Sequence, residues 1–219
     1  SKPVRPSSLA PIRSEPNMKK AELRKIYLEK RAQMTPESVS KMSAKIAQVF
    51  FENIDLKSVK MLHTFIPIHK FNEVDTSKIY TRVWADHPQI ATVVPRTNIS
   101  TGVIESVRFN AQTELLENNW GIREPDGGEL IDPSGIDMVI VPLVCFDKNG
   151  HRVGYGKGMY DRFLSRCRTD CLKVGVSLFE PLESIEDIHE ADIALDVCIT
   201  SDGLFLPNKK DAAETARIP

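Results

Sequence analysis

Gly154, Gly156 and Gly158 alternate with Tyr155 and Lys157 in the stretch 150-GHRVGYGKGMYDRFL-164. Residues of these types at this spacing suit a polyanion. Glycines let backbone N–H groups come close to a ligand, and a helix starting just after them favours phosphate through its dipole. Arg152 and Lys157 supply two cations, as a polyphosphate requires. Asp161, in the first turn of the expected helix, could hold a Mg2+ ion that bridges those phosphates. The loop is not a Walker A sequence, because Lys157 is followed by Gly158-Met159, and its third glycine comes one residue too early for GxGxxG. The same residues would also serve a hairpin turn with solvated cations, with Asp161 only stabilising the helix start. Spacing alone leaves both readings open.

An alternating α/β framework has to position this loop. From Lys19 to about Met34 the pattern is helical: Leu23, Ile26, Tyr27 and Met34 share one flank, bordered by a basic stripe of Lys20, Arg24 and Arg31. Thr35-Pro36-Glu37 reads as N-cap, first-turn proline and first-turn acid of a second helix carrying Val39, Met42, Ile46, Val49 and Phe50. Strands are expected over Val59 to Ile68, Ile90 to Val94, Val103 to Phe109, Met138 to Val141, Leu172 to Leu178 and Ile193 to Thr200, with a turn through Arg96-Thr97-Asn98. A further helix is expected from Asp75 to Asp86. The Met138–Val141 run is apolar throughout, as in a parallel strand covered on both faces, and Pro142 argues against a regular ladder beyond it. Asp147-Lys148-Asn149-Gly150 is turn chemistry.

Composition narrows the class. In 219 residues, 41% are apolar and 27% charged, and the formal net charge is −1. That is the profile of a globular α/β protein without the basic excess of a nucleic-acid binder. No apolar run approaches the roughly 18 residues of a membrane span. Cys145, Cys167, Cys171 and Cys198 form no CxxC pair, so reduced thiols in a cytoplasmic protein are expected. Residues 1–17 read as a polar, proline-rich leader outside the fold, 18–207 as one domain, and 208–219 as a polar tail.

The segment 139-VIVPLVCFDKNGHRVGYGKGMYDRFL-164 closely resembles the signature of 5-formyltetrahydrofolate cyclo-ligases, also called methenyltetrahydrofolate synthetases. Their loop is typically GxGKGYYDR-like and follows a strand ending in Phe-Asp. The segments 20-KAELR-24 with Arg31, 73-EVDT-76, Pro95-Arg96, Trp120-Gly121-Ile122 with Glu124-Pro125, and 192-DIALDVCIT-200 also resemble family segments and fall in family order.

The resemblance implies a three-layer α/β fold with a mostly parallel sheet, similar to the sugar-phosphate isomerase and CoA-transferase-like group. It also implies ATP- and Mg2+-dependent conversion of 5-formyltetrahydrofolate to 5,10-methenyltetrahydrofolate. Carried across by motif, Lys20, Arg24, Arg152 and the loop Gly154, Tyr155, Gly156, Lys157, Gly158, Met159 and Tyr160 would meet ATP. Lys157, with Arg152, would stabilise the transferred phosphoryl group. Asp161 and Asp196 would hold Mg2+. Glu73 would accept hydrogen bonds from the pterin ring, while Ile66, Trp120 and the loop from Gly156 to Tyr160 would contact the folate.

Three departures from the family pattern stand out: Met159 replaces the first loop tyrosine, 69-HKFN-72 lengthens one segment, and Ala191-Asp192 stands where His-Asp is common. A non-catalytic nucleotide or folate sensor, or a kinase or sugar-phosphate enzyme sharing the loop, are the alternatives. A monomer or weak homodimer is expected, without nucleic-acid or membrane partners.

Overall fold

The computed structural model describes residues 18–98, 101–118 and 121–207. In chain order the elements are α1 (Lys20–Ala32), α2 (Pro36–Asn53), β1 (Met61–His63), α3 (Ser77–Asp86), β2 (Ala91–Asn98), β3 (Val103–Phe109), β4 (Leu115–Glu117), β5 (Arg123–Pro125), β6 (Leu130–Ile131), β7 (Met138–Val141), β8 (Cys145–Phe146), β9 (Arg152–Val153), α4 (Met159–Leu164), β10 (Leu172–Val176), β11 (Val197–Ile199) and β12 (Leu204–Phe205). Single 3-10 turns occupy His69–Phe71 and Pro133–Gly135. As its sequence suggests, α2 is capped by the Thr35 hydroxyl, which accepts from the Ser38 N–H at 3.2 Å, with Pro36 at the first position.

The main sheet runs β12-β11-β10-β7-β1-β2-β3-β6. Its five central strands are parallel; β12 on one side and β3 on the other run against them, and β6 pairs antiparallel with β3. Alternation along β7 shows why its run is apolar throughout. Met138 and Ile140 pack with Phe50 of α2 and Val83 of α3, while Val139 and Val141 pack with Phe163 of α4. The sheet is therefore the middle of three layers. Leu23 and Tyr27 of α1 pack elsewhere, against Val144, Cys145 and Val153 of the separate β8–β9 hairpin. No helix among the described residues is long and apolar enough to cross a membrane.

Some elements differ from their sequence expectation. Only Met61–His63 of the Val59–Ile68 run is strand. The Thr64 N–H still reaches the Val93 carbonyl, but Pro67 has no N–H to continue the ladder, and the Thr76 hydroxyl takes the Phe65 carbonyl. The expected turn at Arg96-Thr97-Asn98 is instead the end of β2, where Arg96 pairs with Glu105 across the strands at 2.8 Å. The expected strand ending the fold is shorter, Val197–Ile199, and the hairpin β4–β5 was not anticipated.

The turn before β9 docks the hairpin onto the chain leading to β11. Gly150 has φ +83° and its carbonyl accepts from the Leu195 N–H at 2.9 Å. A Cβ there would lie 2.7 Å from the Leu195 carbonyl oxygen and 2.7 Å from Pro207 Cγ. Gly150→Ala should therefore cost about 2 to 4 kcal/mol, combining left-handed strain with overpacking. Urea unfolding at constant m-value measures this; a midpoint unchanged from wild type would contradict it.

Candidate active site

A cavity of about 400 Å3 opens at the C-terminal ends of the parallel strands, the usual ligand position in such sheets. The chain leaving β1 brings Ile66 and Glu73 to it, and β2 adds Pro95 and Thr97. The glycine loop forms another wall, and Lys20 and Arg24, one helical turn apart on α1, face the same space. Asp161 and Asp192 also line it.

The glycine loop has the backbone its sequence implies. Gly156 and Gly158 are left-handed at φ +88° and +61°. Arg24 explains why Gly156 is bare: a Cβ there would stand 3.2 Å from the guanidinium carbon, and Arg24 Nε donates to the Gly154 carbonyl at 2.7 Å. Arg162 holds the other end, donating to the Lys157 and Gly102 carbonyls at 3.1 and 3.0 Å. The helix that follows has only six residues, so its dipole is small and anion affinity falls to the loop's N–H groups and cations. Lys157 is exposed at the mouth, and no hydrogen bond or ion pair holds its ammonium among the described residues.

The neighbouring cations are already paired. Arg152 is buried; its Nη2 donates to Asp161 Oδ1 at 2.7 Å and its Nη1 to the Ile193 carbonyl. Asp161 Oδ1 also accepts from the Ile193 N–H at 3.1 Å, so both its bonds fall on one oxygen. Lys20 pairs with Asp192, which accepts from the His189 N–H as well. Partial burial pulls the Asp192 carboxyl upward, but the His189 bond and Lys20 outweigh it and hold its pKa below the usual carboxylate range.

The placement of Asp196 corrects the expected metal pair. Asp196 precedes β11, at the N-terminal end of the sheet, where it accepts from the Lys173 N–H and pairs with the Lys173 ammonium at 2.9 Å. The cavity is at the opposite end, where Asp192 stands with Asp161. Among the described residues no three His, Cys, Asp or Glu side chains gather as a metal site. Asp161 and Asp192 nevertheless fit Mg2+, which is commonly held by one or two carboxylates together with substrate phosphates.

The folate-side residues divide likewise. Ile66 and Glu73 are buried at 8% and 5% exposure and line the cavity. Glu73 accepts from the Ile68 N–H at 2.8 Å and from the Tyr155 hydroxyl. Burial raises its pKa against those bonds and the nearby Arg31 charge. Met159 and Tyr160 also line the cavity. The Tyr160 hydroxyl is buried without a partner among the described residues, and burial raises its pKa. Trp120 lies outside the described residues.

Comparison with known proteins settles the class. The family model described as "5-formyltetrahydrofolate cyclo-ligase family" matches residues 16–200. The chain belongs to the 5-formyltetrahydrofolate cyclo-ligase family. It is 31% identical over 139 residues to the 5-formyltetrahydrofolate cyclo-ligase of Escherichia coli strain K12, covering 62% of this chain and 74% of that one. The Mycoplasma genitalium cyclo-ligase is 29% identical over 181 residues, covering 82% and 97%. The solved structure of Aquifex aeolicus 5,10-methenyltetrahydrofolate synthetase superposes with a TM-score of 0.74 at 31% identity, covering 89% of this chain and 96% of that one.

Beside the cyclo-ligase signature, three side chains contribute that sequence reasoning did not assign. Arg162 braces the loop, Asp192 takes the place expected of Asp196, and His63 lies beneath the site. His63 is fully buried at the end of β1, with rings of Phe163 and Tyr160 at 4.7 and 6.1 Å. Neither ring nitrogen has a partner among the described residues, and burial pushes its pKa down to about 3. The unfolded chain takes up this proton near pH 6.5, but the native one only near pH 3. Stability should therefore fall as pH drops through that window, by about 2 kcal/mol between pH 7 and 5 from this group. Urea midpoints at the two pH values should show the loss, reduced in His63→Phe. An equal loss in that variant would contradict the assignment.

Proposed function

We propose that this protein converts 5-formyltetrahydrofolate to 5,10-methenyltetrahydrofolate, with ATP split to ADP and phosphate. One observation carries the reading: a single cavity joins a cation-rich glycine loop and two carboxylates to an apolar wall with one buried acid. The loop half suits a triphosphate, and Ile66 with Glu73 suits a pterin whose amino and ring N–H groups need an acceptor.

In this chemistry the formyl oxygen forms a bond to the γ-phosphorus as the bond to ADP breaks. N10 then attacks the formyl carbon, phosphate leaves with the oxygen, and N10 gives up its proton. Nothing here demands a protein nucleophile. The chain's task is to align formyl oxygen with phosphorus and to neutralise charge. Lys157, unpaired at the mouth, is placed to follow the transferred group, while Lys20, Arg24 and the loop N–H groups hold the rest of the triphosphate. Arg152 orients Asp161. A bound Mg2+, held by Asp161 and Asp192, would supply charge neutralisation between phosphates. Residues 18–207 would act as one catalytic domain, and the four free cysteines support a reducing, cytoplasmic setting.

Purified protein given 5-formyltetrahydrofolate and Mg-ATP should generate the ultraviolet absorbance of the methenyl product. Ligand-induced thermal stabilisation without product would instead make it a sensor and end the catalytic reading. Lys157→Ala should lower kcat roughly 100-fold, with folate affinity within about twofold. Equal losses in both would remove Lys157 from the chemical step. Asp161→Asn should raise the Mg2+ concentration giving half-maximal rate, and an unchanged requirement would refute its role as a ligand.

A further inference from the structure

Arg31 is only 3% exposed, although Lys20 and Arg24 on the same stripe border the open cavity. A buried guanidinium is costly unless its donors are used. Its Nη2 donates to the Leu143 carbonyl at 2.9 Å and its Nη1 to the Tyr155 hydroxyl at 2.9 Å, while its Nε has no partner among the described residues. That hydroxyl donates in turn to Glu73 Oε1, while Glu73 Oε2 takes the Ile68 N–H. A phenol thus lies between a guanidinium and a carboxylate of opposite charge.

Asn72 strengthens the link. It is left-handed at φ 49°, and its Nδ2 donates to the Arg31 and Met34 carbonyls at 2.8 and 3.0 Å, tying the turn before Glu73 to the end of α1. Tyr155 itself sits between Gly154 and Gly156, so the loop read above as the ATP wall reaches the folate wall through one side chain.

We infer that Arg31 and Tyr155 are a positioning pair that holds Glu73 as an oriented hydrogen-bond acceptor and joins it to the glycine loop, coupling folate capture to loop order. The identity of the ligand rests on the cyclo-ligase reading; the state of Glu73 does not. Burial opposes ionisation of Glu73, and the groups facing it are Arg31 from α1, His69 from the 3-10 turn, Tyr155 from the loop and Tyr160 from α4. Donation from Tyr155 favours the charged form, so removing it makes protonation easier.

Tyr155→Phe tests the pair, because it keeps the ring and deletes only the hydroxyl. The KM for 5-formyltetrahydrofolate should rise about tenfold, as for loss of one hydrogen bond to a charged group, and by more than the KM for ATP. The acid limb of kcat/KM for the folate should move to higher pH. In a Glu73→Gln background the same change should alter the folate KM less than about twofold, since the tyrosine acts through that acid. A full effect in that background, equal rises for both substrates, or an unmoved acid limb would overturn the inference. In the ligand-free protein, the Glu73 carboxyl carbon followed by 13C NMR, and assigned by its loss in Glu73→Gln, should titrate at higher pH in Tyr155→Phe. An unchanged midpoint overturns the pair even if wild-type protein shows no turnover, an outcome that would by itself end only the cyclo-ligase reading.

Discussion

The Asp147 carboxylate, 1% exposed, is the point from which the site is hung. Its Oδ1 accepts from the Asn149 and His151 N–H groups, both at 2.9 Å, and its Oδ2 from the Ile185 N–H at 3.1 Å. A buried carboxylate with this many donors is well satisfied, whereas the same carboxylate without them would be costly. One anchor therefore sets the turn into β9 and places the 182–192 segment beside it. Arg152 leaves that turn to meet Asp161, and the anchored segment delivers Asp192 to Lys20. Two ion pairs of the cavity thus depend on one acid that takes no part in the chemistry.

Most charges of the cavity are paired before any ligand arrives. Lys20 pairs with Asp192, Arg152 with Asp161, and Arg31 reaches Glu73 through Tyr155. Preformed pairs of this kind keep buried charges from destabilising the fold and hold each group near the place where a substrate charge will lie. Lys157 differs: it is exposed, and no ion pair holds its ammonium among the described residues. The two halves of the cavity also differ in kind. One half is made of backbone and cations on a left-handed glycine loop, and the other of apolar side chains around one acceptor.

Much of this was legible in the residues. The α2 cap followed from Thr35-Pro36, and the Met138–Val141 strand from its unbroken apolar run, because local sterics and two-faced burial act over a few residues. The glycine loop was legible for the same reason: φ > 0 at Gly156 and Gly158 is a local demand. The choice between Asp192 and Asp196 was not. The three residues between them carry the chain from the C-terminal to the N-terminal end of the sheet, and spacing does not say which end faces the ligand. The strand expected up to Ile68 failed for a related reason, since its end depends on which neighbours offer carbonyls and N–H groups.

By itself, the sequence determined the left-handed glycines of the loop and the alternating α/β plan, because these rest on backbone preference and periodic burial, and its motifs carried the resemblance to the cyclo-ligases. Tertiary structure alone decided which charges meet. Arg31 looked like one more cation on a basic stripe, and Tyr155 like a spacer between glycines. They are 124 positions apart, and Tyr155 is 82 from Glu73. Hydrogen bonds act over about 3 Å, so only the packing of α1, the loop and the turn before Glu73 against one another could make the three into a single unit.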